Sequence, residues 1–337
     1  INYITGSQYA VGASSVFGSV DRFQVASGTT GRVTMAQDSV TDLAGFTKCI
    51  KISCTTARTP SSAELMFLRY AWEGHDLQRI SKGTASAKPT KISFYVKASG
   101  AFNMACELYD ADNNRHISQL FTTSTSWNRI ELDIPADTTG AYGDDNGAGL
   151  LMQLWFHGGT DRTSGTLPST WQTKSSNTNQ AAGIDNFLSS TSNELYFTGL
   201  QYEIGDTATP FEHRSYGDQL QSCSRYFQKI EVLGSAGAYA PFPYTGLSRT
   251  STIGKITCGW TTPLRAAPTI TTTAADTFAI PNGGGSSIAC TGVSMGRINA
   301  LAAFIEFTVG SGLTVGQATY LNTNNTADPS ISADAEL

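Results

Sequence analysis

Nearly every apolar run in this chain repeats with a period of two residues, and that property excludes most folds. In KISFYVKA (91–98), Ile92, Phe94 and Val96 alternate with Ser93, Tyr95 and Lys97. AFNMACELY (101–109) sets Phe102, Met104, Cys106 and Leu108 against Asn103, Ala105, Glu107 and Tyr109. RIELDI (129–134), GLLMQLWFH (149–157) and ELYFTGLQYEI (194–204) repeat the pattern, the last with Gly199 marking a bulge. Successive side chains of a strand point to opposite faces, so such runs are half-buried antiparallel strands. Turn clusters such as DADNNR and GAYGDDNGAG separate them. The series reads as an all-β chain of two β-sandwich domains, with a jelly roll the favoured form.

At 337 residues the chain is long enough for two domains, because single cores stop growing below that size. Charged residues make up 15%, against a usual share of about a quarter. The net charge of −5 and the absence of any basic run argue against a nucleic-acid partner, which needs a basic stripe. No apolar stretch reaches the 18 residues or so that a spanning helix requires, so membrane insertion is not expected. The first residues show no charged-then-apolar leader, so no secretion signal is expected among them, and Ile1 in place of an initiator Met leaves room for sequence upstream.

The six cysteines, at 49, 54, 106, 223, 258 and 290, form no C-x-x-C pair. Cys49 and Cys54 are an odd number of residues apart on one strand, face opposite ways and are not expected to bond. Zinc-site spacing is absent. The expected state is buried thiols, in a chain made in a reducing cytoplasm.

FEHRSYGDQLQSCSRYFQKI (211–230) places His213, Ser215, Asp218 and Cys223, the residue types of a nucleophilic site, within eleven positions. It is also the one helical pattern. Ser215 can cap, Asp218 follows three residues later, and Tyr216, Leu220, Cys223 and Phe227 form an apolar stripe over a helix near 215–228. Gln219, Gln221, Arg225 and Gln228 take the wet face. Cys223 then lies buried and inert, and His213, on extended chain before the cap, shares no face with it. The segment reads as architecture. After residue 230 only four Lys/Arg and six Asp/Glu remain, and alternation continues in TIGKITCGW (252–260) and AAFIEFTVG (302–310), as in a second, smaller β-domain. Such a charge-poor surface points to packing against other chains.

DADNNRHISQLF (110–121) opens like a calcium loop with Asp110, Asp112 and Asn114, but Arg115 stands where Gly is needed and Phe121 where Glu is needed. Asp144 and Asp145 in GDDNG read as turn chemistry. No cofactor is expected, with calcium held by backbone carbonyls and one carboxylate left open. The better candidate is a face. If Leu150, Met152, Leu154 and Phe156 point inward, Gln153, Trp155 and His157 lie on the other side, and Tyr95, Tyr109 and Glu107 are also on the non-core faces of their strands. Neighbouring strands would unite them into an aromatic platform of the kind that stacks on sugars, with Trp171 closing one end. A neighbouring loop or subunit covering the rings is the alternative.

The segment LYFTGLQYEIGDTATPFEHRSYGDQLQSCSRYFQKI (195–230) resembles a signature of tailed-phage virion proteins, especially marine-phage fibres. Gly199, Gln201, Glu203, Gly205, Ala208, Thr209, Pro210, Phe211, Glu212, Arg214, Ser215, Tyr216, Leu220, Cys223, Arg225 and Tyr226 carry it. WEGHDLQRISKGTASAKPTKISFYVKAS (72–99) and DRFQ (21–24) upstream, and PLRAAPTITTT (263–273) and DAEL (334–337) downstream, resemble other parts of the same proteins. The resemblance implies a virion appendage, a homotrimer with carbohydrate-binding-like sandwiches, and carries over no catalytic residue. The expected layout is a connecting segment at 1–20, a carbohydrate-binding-like jelly roll at 21–212, a connector helix at 213–230 and a β-sandwich at 231–337. The expected function is a non-catalytic, virion-borne tail fibre that attaches to a host polysaccharide or lipopolysaccharide beside other tail proteins. A purely structural virion part (head fibre, decoration or tail adaptor) is one alternative. A depolymerase is the other, with Glu107, Glu131 and Asp133 as its only loosely placed acids.

Overall fold

The computed structural model of this chain describes residues 9–10, 16–17, 20–28, 32–232, 239–325 and 328–337. The chain divides into two compact units, residues 1–215 with Leu337, and residues 216–336. Both are all-β. Most of the 1–20 connecting segment lies outside the described residues, although two short strands within it join the sheets of the first unit.

The first unit contains strands β1 (Tyr9–Ala10), β2 (Val16–Phe17), β3 (Phe23–Ser27), β4 (Val33–Ser39), β5 (Lys48–Cys54), β6 (Leu65–Glu73) and β7 (Thr90–Ala98). They are followed by β8 (Asn103–Asp110), β9 (Arg115–Thr122), β10 (Asn128–Ile134), β11 (Ala148–Gly158), β12 (Gln172–Thr173) and β13 (Glu194–Ile204). One sheet runs β1-β4-β5-β13-β7-β10 and the other β12-β9-β8-β11-β6-β3-β2, with antiparallel neighbours throughout. The period-two stripes meet between them. Ile92, Phe94 and Val96 from one sheet pack against Met104, Cys106, Leu108, Leu150, Met152, Leu154 and Phe156 from the other, nearly all fully buried. Each such side chain stabilises the fold by about 1.5–3 kcal/mol.

Gly199 is the bulge the sequence marks. Pairing of β13 with β7 slips between Thr198 and Gln201, so that Phe197 faces Val96 but Tyr202 faces Ile92, five residues against four. The extra residue resets the alternation. Tyr202 therefore points to the inner face, while Gln201 and Glu203 point out. Only glycine fits here, because the backbone takes φ +64° and a Cβ would lie 2.9 Å from both the Phe46 and Tyr95 rings.

In the second unit, β14 (Phe227–Glu231), β15 (Pro241–Ser248), β16 (Ile253–Gly259), β17 (Thr269–Thr272) and β18 (Phe278–Pro281) are followed by β19 (Ser287–Ile298), β20 (Ala302–Val309), β21 (Ala318–Thr323) and β22 (Ser330–Asp334). Six of them close on themselves in the order β15-β16-β20-β19-β18-β21, a barrel rather than two open layers, and β14-β22-β17 form a separate three-stranded sheet. Alternation again selects the core, with Ala303, Ile305, Phe307 and Val309 of β20 buried.

The helix is shorter than its pattern. It spans Tyr216–Ser224 and counts with the second unit. Phe227 opens β14 instead, paired across from Asp334. Gln228, expected on the wet face, is buried, donating to the carbonyls of Ser224 (3.0 Å) and Thr262 (2.7 Å). Strand pairing over FQKIE outweighs the helical period there. Tyr216 is 70% exposed and Cys223 only half-buried, which corrects the expected buried stripe. All six cysteines are thiols, and the other five are buried. Burial pushes Cys106, Cys258 and Cys290 up to about 12, and burial with the nearby Asp38 charge does the same to Cys49.

Candidate functional site

The expected aromatic platform does not form, because its members lie on opposite sides of the sandwich and most are covered. Tyr95 is on β7, and Glu107, Tyr109, Gln153, Trp155 and His157 are on β8 and β11 of the other sheet. The outer faces of two packed sheets point away from each other. On the β8–β11 side the chain from 159 to 186 crosses the face as a strap. Ser118 donates its amide to the Pro168 carbonyl (2.9 Å) and its hydroxyl to that of Gln180 (2.8 Å), Asp185 donates its amide to Asn103, and β12 pairs with β9.

Under the strap lies a polar network. Glu107 is 0% exposed and Trp155 1%. The Trp155 indole N–H donates to Glu107 Oε2 (2.9 Å), Gln180 Nε2 donates to the same oxygen (3.1 Å), and His116 Nδ1 lies 2.8 Å from Oε1. Lys174 Nζ stands 3.8 Å from Oε1 and 4.5 Å over the Tyr109 ring. A buried carboxylate is tolerated only when so compensated. Ala26, Phe67, Ala105 and Ala181 pack with Trp155 into a small apolar cluster. Gln153 is buried as well. His157, 1% exposed, places Nδ1 2.9 Å from Asn186 Oδ1 and Nε2 3.4 Å from Glu64. Trp171 is half-buried, donating to the Pro135 carbonyl (3.0 Å) and lying under Lys82. The sequence thus placed Glu107, Trp155 and Tyr109 together, on a covered face.

The acidic turns are occupied by their own chain. Asp110 and Asp137 hold the buried Lys82 ammonium (2.5 and 3.0 Å), which also donates to the carbonyls of Thr139 and Gly140. Asp112 accepts the Gly143 amide, Asp145 that of Gly147, and Asp144 pairs with His75. The stretch from 201 to 213 also has a structural role. Glu203 accepts the Thr209 amide (2.9 Å) and hydroxyl (2.7 Å), and Gln201 accepts the Glu212 amide (2.8 Å). Phe211 and His213 then pack tilted against Phe46, with ring centroids at 5.0 and 5.1 Å. Much of the G-x-Q-x-E and A-T-P-F-E pattern is a clip folding the chain back onto its sheet.

One end of the gap between the sheets is open. There the inner faces enclose a pocket of about 250 Å³. Gln37, Lys48, Ile50, Phe197 and Tyr202 line it from one sheet and Phe23, Tyr70 and Trp72 from the other, with Thr198 of β13 and Cys49 of β5 also in the lining. Four half-buried rings form a continuous wall, with centroids 5.0 Å apart for Phe23–Tyr70, 4.8 Å for Tyr70–Trp72 and 5.0 Å for Trp72–Tyr202. Arg22 lies over the Tyr70 ring at 5.0 Å. Thr90 donates to the Tyr202 hydroxyl (3.1 Å), and burial raises that phenol to about 12. Among the described residues no carboxylate lines the pocket. Aromatic faces beside an amide, hydroxyls and an amine suit a polyhydroxylated ring with apolar C–H faces.

Sequence reasoning missed this pocket. The signal was YAW (70–72), two aromatics on one face of β6 continuing the core stripe of Met66 and Leu68. Period two counts them as core whether or not the opposite sheet reaches that far.

No protein-family model matches the sequence, and no curated protein matches it. Among solved structures, the enzymatically active domain of tailspike protein 4 from bacteriophage CBA120 is similar at 9% identity and TM-score 0.33. That match covers 58% of this chain and spans about a fifth (21%) of the tailspike domain's length. A family 11 carbohydrate-binding module from Clostridium thermocellum, in complex with a β-1,3-1,4-mixed-linked tetrasaccharide, matches at 13% identity and TM-score 0.29, covering 60% of this chain and 98% of the module. A xylan-binding domain from Paenibacillus barcinonensis matches at 12% identity and TM-score 0.28, covering 60% and 95%. At such scores the likeness carries no argument about what this chain binds.

Proposed function

We propose that this chain is a non-catalytic receptor-binding protein of a tailed-phage virion, a tail fibre or related appendage, whose first unit binds a host surface polysaccharide or lipopolysaccharide. The observation that carries the reading is the pocket walled by Phe23, Tyr70, Trp72 and Tyr202 and lined, among the described residues, by no carboxylate. A glycosidase needs two carboxyls about 5–10 Å apart across its substrate. Glu107 is buried on one side of the sandwich, while Glu131 and Asp133 are exposed on β10 of the other sheet. The resemblance of residues 195–230 to phage fibres supports the virion assignment, with assembly in the host cytoplasm beside other tail proteins.

A homotrimer belongs to the same proposal. Leu247, Met295, Leu301, Val315 and Tyr320 of the charge-poor second unit are exposed, and symmetric contacts bury such side chains. The test is adsorption competition, in which purified protein blocks phage attachment and the Trp72→Ala protein does not. New reducing ends on host polysaccharide would instead establish a depolymerase, and equal competition by both proteins would remove the pocket from binding. Light scattering reports the assembly, and a monomer at micromolar concentration would exclude the trimer.

A further inference from the structure

The size, ring geometry and charge of the pocket narrow its ligand, and this step rests on the glycan-binding reading above. A volume of about 250 Å³ is below the roughly 300–1,000 Å³ of sites for drug-sized ligands. It suits one sugar ring rather than a run of them. The wall agrees. Neighbouring rings are tilted by 52° for Phe23–Tyr70, 64° for Tyr70–Trp72 and 45° for Trp72–Tyr202. A chain lying lengthwise stacks its units on ring faces that share a plane, and here each ring turns its face away from the next. The wall encloses a ligand instead of supporting a strip of it.

The charge is one-sided. Among the described residues Lys48 is the only charged one in the lining, and it is exposed. Its ammonium donates to the Ser39 hydroxyl at 3.1 Å, and among the described residues it pairs with no carboxylate. The neighbouring Asp38 is engaged elsewhere, accepting the Ser39 amide (2.8 Å) and lying 4.0 Å from Lys51. An ammonium at the mouth of an aromatic pocket without acids attracts a carboxylate attached to an otherwise stacking ring.

We infer that the pocket takes a single terminal sugar bearing a carboxylate, inserted end-on with its acid at Lys48 and its ring against Tyr70 and Trp72. The chemical class is a uronic or other carboxylated monosaccharide at the end of a surface glycan.

The probe is an array of bacterial surface oligosaccharides ending in neutral hexoses, amino sugars or carboxylated sugars, each in lengths from two to six units. Binding is measured for the full chain and for Lys48→Gln, whose site is exposed and whose melting temperature is checked to be unchanged. The expected result is binding confined to carboxylated termini, with affinity varying less than about twofold with length. Lys48→Gln lowers it about tenfold, and reducing the terminal carboxyl to an alcohol does the same. Affinity that climbs with each added unit, or equal binding of neutral termini, overturns the end-on acidic ligand while leaving glycan binding intact. Absence of binding to every glycan overturns the glycan reading itself, and this inference with it.

Discussion

Two tryptophans on strands of the same sheet have opposite fates. Trp155 on β11 looks outward, where the alternation leaves no core for it, yet it is 1% exposed. The 159–186 strap covers it and Glu107 takes its indole proton donor. Trp72 on β6 looks inward, where a core is expected, yet it stays half-buried beside a cavity because the opposing inner face at that end leaves a gap. Outward is not exposed, and inward is not filled. A strand's pleat fixes direction, and a loop or the opposite sheet decides whether anything is there to meet.

The largest effect that could break the comparison is at Trp155. Trp155→Ala is expected to cost about 3–5 kcal/mol of stability, as for other large core aromatics, and to remove the indole donor to Glu107, leaving Gln180 as the donor to that oxygen. Denaturant unfolding reads this directly, and glycan binding should follow only the folded fraction. A stable Trp155→Ala protein with lost binding would restore the outward face as the site.

Trp72→Ala should show the reverse. Binding is expected to fall by about 2 kcal/mol or more, as for a central aromatic anchor, with a smaller loss of stability because the ring is half-buried. Unchanged binding in titration calorimetry would remove the pocket from function.

Gly199→Ala sharpens the comparison by attacking the bulge that turns Tyr202 inward. Strain at φ +64° and contact with Phe46 and Tyr95 should cost about 1–3 kcal/mol. Loss of stability without loss of affinity in the folded fraction would mean that Tyr202 contributes nothing to binding.

The smallest effect is a pH dependence at Asp137. Burial alone would raise the Asp137 carboxyl, but Arg115 and Lys82 outweigh it and hold it below the ordinary value of 3.8. A carboxyl lowered on folding contributes stability that is present above its unfolded value and lost as pH falls through the folded one. Unfolding free energy should therefore decline as pH drops below about 4. Asp137→Asn should flatten that limb and weaken the protein at neutral pH. An unchanged acid slope would show that Asp137 is not the group responsible.

Much of the architecture was legible in the residues. Period two identified the core stripes of β7, β8 and β11, the marked glycine was the bulge, and carboxylates in DADNNR and GDDNG became turn and counter-ion chemistry. The helix was read too long because YFQKI satisfies both periods, and only the pairing of Phe227–Glu231 with Ser330–Asp334 selects the strand. The site was read onto the wrong face for a related reason. Tyr95 and Trp155 are both non-core by alternation, but whether their strands share a sheet depends on pairings between segments far apart in the chain.

The sequence by itself determined that the chain is all-β, which side of each strand is apolar, and where β13 must shift register, because these follow from local backbone geometry and the absence of a Cβ at one position. The tertiary structure alone decided that six strands of the second unit close into a barrel, that residues 159–186 cover Glu107 and Trp155, and that the sheets leave a pocket at Tyr70, Trp72 and Tyr202. Those outcomes depend on which distant surfaces meet, and a two-residue period carries no information about that.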